Sequence, residues 1–333
     1  MTADDVAVVI VNFNGERLLP ACLAALAAQT RPPSEIVVAD NGSRDGSLAL
    51  LRADHPHVGI LELYRNHGFA GGANRGVAAT SAPWVCVLNS DATPAPDWLE
   101  RLLAAPRDPR TWALGSVLVS AATGRIESAG DQYSPEGYAY KLLRDRPLEE
   151  LPDEPYRVFA APGAAPVFRR AAFDALGGYE ERFFLYYEDV DLAFRAVLAG
   201  LHALLVPQAR VVHRLGATTR SHARARFYVA RNSAWCAVRC HPGASPGLLA
   251  RRWARELRSN RPRRLGAVEL AGRAAALAGL PRALRERRTI LSRRTATPEH
   301  LAALLREPAV IGARHAPRPD PERTSPCASS SPS

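Results

Sequence analysis

Hydrophobic residues in the first third of the chain come in short, mostly β-branched runs separated by polar turns and amphipathic stretches. "VAVVIVNF", "EIVVAD", "GILEL" and "WVCVLN" have the length and composition of strands. An apolar helix from about Glu16 to Ala28 and another near Ala73 to Thr80 fall between them. Strands and helices alternating in short units predict an α/β fold, a mostly parallel, doubly wound sheet with helices on both faces. Residues 110–168 are less regular and rich in Gly, Pro and Tyr, with strand-like pieces near 113–119 and 125–133. Further on, "HALLVP" and "ARVVH" read as two short strands. Val190, Ala193, Phe194, Val197 and Leu198 recur at i, i+3, i+4, i+7 and i+8, which predicts a helix with one apolar face, stopped by Gly200. On that helix Glu188 points away from the buried face, and Asp189 and Asp191 flank it. From about Ser221 the pattern is helical and basic, and from about Ala316 it is a Pro-, Ser- and Arg-rich tail that reads as disordered.

In sheets of this type ligands sit beyond the carboxyl ends of the strands. Asn12, Asp40, Asn66 and Asp91 all lie at or just after predicted strand ends, which places four polar residues at one rim. In "VADNGSRDGS", Asp40 can accept a hydrogen bond from a nucleobase or ribose hydroxyl, or serve only its own turn. "RNHGFAGGANRGV" is a glycine turn opening a helix, where backbone N–H groups can hold a phosphate. Its spacing is neither GxGxxG nor a P-loop. "VCVLNSDATP" ends a strand on Asn89, Ser90 and Asp91, and a carboxylate there can hold Mg²⁺ or Mn²⁺ with substrate phosphates completing the shell. "ARVVH" ends on His213, a candidate nitrogen ligand. "FFLYYEDVDLAFR" places Glu188, Asp189 and Asp191 within four positions. Either they decorate a helix start, at about 0.3–1 kcal/mol each, or one of them takes a proton.

Composition narrows the choice. The chain has 333 residues and 47% hydrophobic content, enough for one large domain with an appendage or for two domains. No uninterrupted apolar run is long enough to predict a transmembrane helix, and the acidic N-terminus does not look like a signal peptide. Cys22, Cys86, Cys236, Cys240 and Cys327 form an odd, dispersed set that fits a reducing cytoplasm better than a disulfide framework. Cys236, Cys240 and His241 lack the second ligand pair of a zinc site. The net charge is +10, and residues 251–294 alone hold fourteen arginines against Glu256, Glu269 and Glu286. Lys141 is the chain's only lysine.

Each motif is ambiguous alone, but their order is not. "VVIVNFNG", "DNGSRDGS", "NHGFAGGANRGV", "LNSDATP", "GGYEERFFLYYEDVDLAFRAVLAG" and "VVH" resemble, in sequence, the inverting family 2 glycosyltransferases of GT-A fold, with the rhamnosyltransferase-like branch nearest. The resemblance covers about residues 5 to 240. It implies a Rossmann-like catalytic domain over 1–240, followed by a basic helical extension over 241–315 and the tail 316–333. It also implies a nucleotide-sugar donor, dTDP-rhamnose first among candidates, and a saccharide or lipid-linked saccharide acceptor in cell-surface glycan synthesis. Asp40 would contact the donor nucleoside, and Asn12, Asn66, Gly71, Gly72 and Asn74 would line its pocket. Asp91 would ligate a divalent metal with His213 as second ligand or diphosphate contact, and Asp189 would be the general base. Glu188 or Asp191 would raise its proton affinity, with Asp191 bracing the motif. The metal motif here carries one carboxylate, preceded by Asn89 and Ser90, where the family often has Asp-x-Asp. "ARRW" at 250–253 lacks the Gln of the Gln-x-x-Arg-Trp found in processive members.

Two other readings weigh less. A sugar-phosphate nucleotidyltransferase needs a Gly-rich triphosphate loop with a nearby cation after the first strand, and "VNFNGERLLP" offers only Arg17. A catalytically silent nucleic-acid scaffold built on the late arginines does not explain Asp40, Asp91, Asp189 and His213, so no nucleic-acid partner is expected. The basic segment fits an anionic membrane surface instead. Leu249, Trp253 and Leu257 form one stripe among arginines and Leu270, Leu277, Leu284 and Leu291 another, within residues 246–294. A helical cap on the catalytic domain explains the leucines equally well. A cytoplasmic protein, peripheral on the inner face of the membrane, is the expected location.

Overall fold

The computed structural model describes residues 2–306 and 308, apart from 136, 215, 217–221, 245 and 260–265. The predicted tail from Ala316 lies outside the described residues. β1 (Val6–Asn12), α1 (Leu19–Ala27), β2 (Glu35–Asp40), α2 (Ser47–Asp54), β3 (Gly59–Glu62), α3 (Gly68–Ala78) and β4 (Trp84–Asn89) form the alternating half. β5 (Ala92–Pro94) and α4 (Trp98–Ala104) lead to the long β6 (Thr111–Ser120). The irregular stretch contains β7 (Ile126–Ser128), β8 (Asp131–Tyr133), β9 (Ala139–Lys141), β10 (Tyr156–Val158) and β11 (Val167–Arg169). After them come α5 (Arg170–Ala175), α6 (Glu188–Leu198) and β12 (His202–His213). The chain then turns helical, with α7 (His222–Cys240), α8 (Pro246–Ser259), α9 (Ala267–Ser292) and α10 (Pro298–Leu304).

The main sheet runs β10-β12-β6-β11-β4-β1-β2-β3, with β5 paired to β12 and β7 to β6. β1 is parallel to β2 and β4, and β6 is parallel to β12, while β11 and β10 run antiparallel to their neighbours. Alternation along β1 explains why both faces are covered. Val6, Val8 and Ile10 pack with Leu19, Leu23 and Leu26 of α1 on one side. Ala7 and Val9 pack with Ala70, Ala73 and Val77 of α3 on the other.

Two sequence expectations need correction. "HALLVP" and "ARVVH" are one strand, β12, whose register against β6 shifts between Val206 and Arg210. Pro207 inside that interval has no N–H for the ladder, so the strand bulges there rather than ending. Glu188 does not face away from the core: it is buried at 6% exposure. α7 and α10 pack against α6, so the side that the periodicity leaves to solvent is covered too.

The aromatic run before α6 is held in an unusual backbone. Phe184, Tyr186 and Tyr187 have φ of 65°, 67° and 70°, the left-handed region that side chains with a Cβ rarely adopt. Fully buried Asn232 of α7 supports them. Its Nδ2 donates toward the carbonyls of Phe183, Leu185 and Tyr186 at 2.9, 2.9 and 2.7 Å. Gly68, with φ of 75°, lets α3 meet the same run, since a Cβ there would stand 2.3 Å from the Phe184 carbonyl oxygen.

The helical extension is fastened to this core. Arg239 of α7 reaches Asp191 of α6 at 3.2 Å and Glu286 of α9 at 3.2 Å. Ala296, Leu301 and Leu304 join the same apolar cluster as Phe194 and Leu198. α9 approaches α7 through small residues: Gly272, Ala276 and Ala283 are buried, and a Cβ on Gly279 would lie 2.4 Å from the Trp235 ring. Replacing Asn232 by Leu should remove the donor that the Leu185 and Tyr186 carbonyls share, while Phe183 still accepts from Arg231 at 3.0 Å, and should cost about 1–3 kcal/mol. Urea unfolding checks this, and a loss under about 1 kcal/mol would show that the aromatic run holds its own shape.

Candidate functional site

The carboxyl ends of β1, β2 and β4 converge as the rim rule requires. Asn12 closes β1 beside Asp40, the last residue of β2, in parallel register. Asn12 Nδ2 donates to Asp40 Oδ1 at 2.9 Å, and the Ser43 N–H donates to Oδ2 at 3.0 Å. Both side chains are buried, so the turn and the strand ends hold the Asp40 carboxylate in one orientation. Asn66 is exposed, and its Oδ1 accepts from the Gly68 N–H at 2.8 Å.

Gly71 and Gly72 are buried in the first turns of α3, Gly72 against Val11 and the Asn41 amide. Asn74 is committed to the protein. It donates to the Tyr179 carbonyl at 2.8 Å and accepts from the Tyr179 N–H at 2.9 Å. The glycine segment therefore anchors the stretch before the acidic motif, and Arg75 adds an ion pair to Glu181 at 3.0 Å.

Asp91 and His213, 122 positions apart in the chain, meet because β5 pairs antiparallel with the end of β12, which sets Ala92 opposite His213. His213 Nε2 faces Asp91 Oδ1 at 3.3 Å. Its other nitrogen, Nδ1, donates to Glu127 Oε2 at 2.8 Å, and Glu127 Oε1 accepts from Lys141 Nζ at 2.6 Å. Asp91, Glu127 and His213 are each under about a tenth exposed. Burial works against a charged imidazole, yet Asp91 and Glu127 raise His213 to about 9. Burial also works against the Glu127 carboxylate, but Lys141 and His213 hold it down at about 2. One carboxylate oxygen and one imidazole nitrogen facing across a short gap suit a hard divalent cation once Nε2 gives up its proton. Among the described residues no group of three or more ligating side chains forms; Asp91 and His213 are the two that face each other here.

The acidic helix stands on the other side of Lys141. Asp189 opens α6 half-buried; its Oδ1 accepts from the Val190 N–H at 2.8 Å. Its Oδ2 lies over the Gly163 backbone, where a Cβ would come within 2.4 Å, so a side chain there would displace the carboxylate. Burial and the nearby Asp131 carboxylate raise Asp189 to about 6, with Lys141 pulling the other way. Asp131 of β8 is a neighbour of Asp189 that the sequence did not offer, and it acts beside Glu188, whose own carboxyl interacts with Asp189. Glu188 is itself raised well above the usual carboxylate range by burial and by Asp189. Asp191 is fully buried between Arg195 at 2.9 Å and Arg239 at 3.2 Å.

Glu127, Asp131 and Lys141 were not found from sequence. They sit in the irregular stretch on β7, β8 and β9, where no motif marks them. The signal available was Lys141 itself, the one lysine in an arginine-rich chain.

The family model for Glycosyl transferase family 2 matches residues 7–177. The chain is 30% identical over 272 residues to an N-acetylglucosaminyl-diphospho-decaprenol L-rhamnosyltransferase of Mycobacterium tuberculosis (strain ATCC 25618 / H37Rv), covering 70% of this chain and 86% of that one. Among solved structures, GalNAc-T7 with UDP, GalNAc and Mn²⁺ superposes with a TM-score of 0.60 at 18% identity, over 88% of this chain and 58% of that one. S. aureus TarS 1–349 does so with a TM-score of 0.55 at 14% identity, over 90% and 83%. The chain belongs to glycosyl transferase family 2 and has the GT-A fold.

Proposed function

We propose that the chain moves one sugar from a nucleotide donor to a hydroxyl of a lipid-linked saccharide, with inversion at the anomeric carbon, in cell-surface glycan synthesis. The observation that carries this reading is Asp189: a half-buried carboxylate raised to about 6, linked through Lys141 to the Asp91–His213 pair. Residues 1–240 form the catalytic domain in this proposal, and 241–315 the extension fastened to it. The likeness to a mycobacterial L-rhamnosyltransferase supports dTDP-rhamnose as the leading donor.

Asp40 receives the donor nucleoside, Asn12 and Asn66 flank it, and Gly71 and Gly72 leave room for its backbone-bound portion. Asn74 acts through Tyr179, holding the pocket wall. Asp91 and His213 hold Mg²⁺ or Mn²⁺, which supplies positive charge to a departing diphosphate when bound. Asp189 accepts the proton of the acceptor hydroxyl as that oxygen attacks the anomeric carbon. The bond to the diphosphate breaks on the opposite face, which inverts the centre. A base near 6 is ionised at neutral pH and still basic enough to assist. Asp191, locked between two arginines, fixes the helix start.

A membrane surface is part of the proposal, on a narrower footing than the sequence offered. Leu249 and Trp253 turn inward to pack with α7 and α9, Arg252 is buried on the Gly137 carbonyl at 2.9 Å, and Leu291 packs on the core. Leu257 and Arg258 lie outside the described side chains. The α8 stripe is therefore a cap, because α7 offers it an apolar surface. α9 is built the other way round: its small residues face α7, while Leu270, Leu277 and Leu284 are 54%, 52% and 52% exposed. Arg285 and Arg288 are exposed on the same side, and Glu269 and Glu286 are turned to arginines elsewhere. Leucines outside with arginines beside them match an anionic bilayer surface. No helix of the described residues is long and apolar enough to cross a membrane.

Asp189→Asn should keep the fold and donor affinity while transfer falls by about 10²–10⁴. In the wild type, single-turnover transfer should rise with pH through about 6 as Asp189 loses its proton, and that rise should vanish in the variant. A donor screen with this assay identifies the sugar, and wild-type turnover by Asp189→Asn would refute the base. Asp91→Ala should abolish transfer and donor hydrolysis together; normal turnover in EDTA would remove the metal. The triple change of Leu270, Leu277 and Leu284 to Ser should abolish co-sedimentation with phosphatidylglycerol vesicles and leave the melting temperature unchanged. Vesicle binding that survives it would place the contact elsewhere.

A further inference from the structure

Glu127 belongs to no motif, yet it is 4% exposed and bridges two cations, His213 on one oxygen and Lys141 on the other. A carboxylate buried this deeply is costly unless both oxygens are occupied. The spacing answers a question left by the pair facing it: which nitrogen of His213 is presented to Asp91, and in which form.

We infer that Glu127 is a positioning residue that keeps the His213 proton on Nδ1, so that Nε2 is the nitrogen free to ligate a divalent cation beside Asp91. The inference rests on the proposed metal role of Asp91 and His213. Because Glu127 accepts from Nδ1–H at 2.8 Å, that proton stays, and the one surrendered to a cation is on Nε2. Lys141 completes the arrangement. Its ammonium, 2.6 Å from Oε1, turns the Glu127 carboxylate so that Oε2 meets the imidazole. β7 and β9 carry these two residues to the end of β12, so a segment with no motif sets the tautomer of a rim residue.

The geometry makes an asymmetric prediction. In Glu127→Gln one oxygen takes only one of the two positions that the carboxylate oxygens hold, so it meets one of the two cations while the NH₂ group faces the other. The ammonium of Lys141 cannot face an NH₂ group, so the oxygen turns to Lys141 and the NH₂ donates to Nδ1. The proton is then forced onto Nε2, where it blocks ligation. In the double variant Glu127→Gln/Lys141→Met the oxygen is released, returns to Nδ1–H, and ligation recovers.

The probe is the preformed Mn²⁺–pyrophosphate complex titrated calorimetrically into the full chain, with sodium pyrophosphate as reference. Glu127→Gln should weaken Mn²⁺–pyrophosphate by about 10–100-fold and sodium pyrophosphate by less than about twofold, while the double variant regains most of the loss. Should Glu127→Gln fold poorly by thermal melting, the comparison moves to Lys141→Met. Adding Glu127→Gln to that background should then change Mn²⁺–pyrophosphate affinity by no more than about threefold. Unchanged affinity in Glu127→Gln, or a double variant weaker than either single one, overturns the inference. Wild-type protein that binds both ligands equally refutes the metal reading itself, a separate outcome.

Discussion

The structure turns on keeping many carboxylates together in a place poor in water. Asp91, Glu127, Asp131, Glu188, Asp189 and Asp191 all stand buried or half-buried around one end of the sheet and α6. Their mutual repulsion in a low dielectric would unfold the region if each stayed charged and unpaired. The protein answers in two ways. Where a cation is at hand the carboxylate is paired: His213 and Lys141 hold Glu127 low, and Arg195 and Arg239 enclose Asp191. Where none is close enough, burial raises the proton affinity instead, as at Glu188 and Asp189. The division separates carboxylates held by cations from the two whose proton affinity burial raises.

The same ion pairs decide how the helical extension is attached. Arg239 is 5% exposed and lies within 3.3 Å of Asp191, Glu180 and Glu286, which belong to α6, the stretch before it, and α9. The extension is therefore part of what keeps α6 in place. Its outer leucines are also carried by a helix that cannot shift without disturbing the acidic motif. Asn232, one turn before Cys236 and two before Arg239 on α7, adds a neutral version of the same support under the left-handed aromatic run.

What was legible in the sequence follows from how local each signal is. The alternating half was plain because period-two burial on β1 and the short apolar strands need no distant partner to be recognised. Asp40, Asp91 and His213 could be named as candidates because each lies at or just after a strand end, and the rim is a consequence of parallel topology. Asp189 could be named because three carboxylates in one turn call for an explanation. The exposure of Glu188 was misjudged for the opposite reason: helical periodicity sees one neighbour surface, and α6 has several. Pro207 imitated a chain break because its missing N–H reads the same in a bulge as in a turn. The leucines of α9 were ambiguous until Gly272, Ala276 and Ala283 were seen to form the inner face, which a pattern search for large apolar residues passes over.

The unreadable part lies between β6 and β11, and it has a physical character of its own. Its three-residue strands are too short to show a period, and their pairing is set by distant elements, as when Asp131 bridges to Ala160. The family match ends at residue 177, before Asp189 and His213. The two halves of the site are thus encoded in different places and meet through tertiary pairing. Lys141 is where they join, since it bonds Glu127 on the His213 side and lowers Asp189 and Asp131 on the other. An ammonium suits that position better than a guanidinium. It is a compact charge able to serve several carboxylates from one point, whereas the flat fork of arginine would commit to one of them. In a chain whose other long basic side chains are all arginines, a lone lysine among three acids is the economical solution to that geometry.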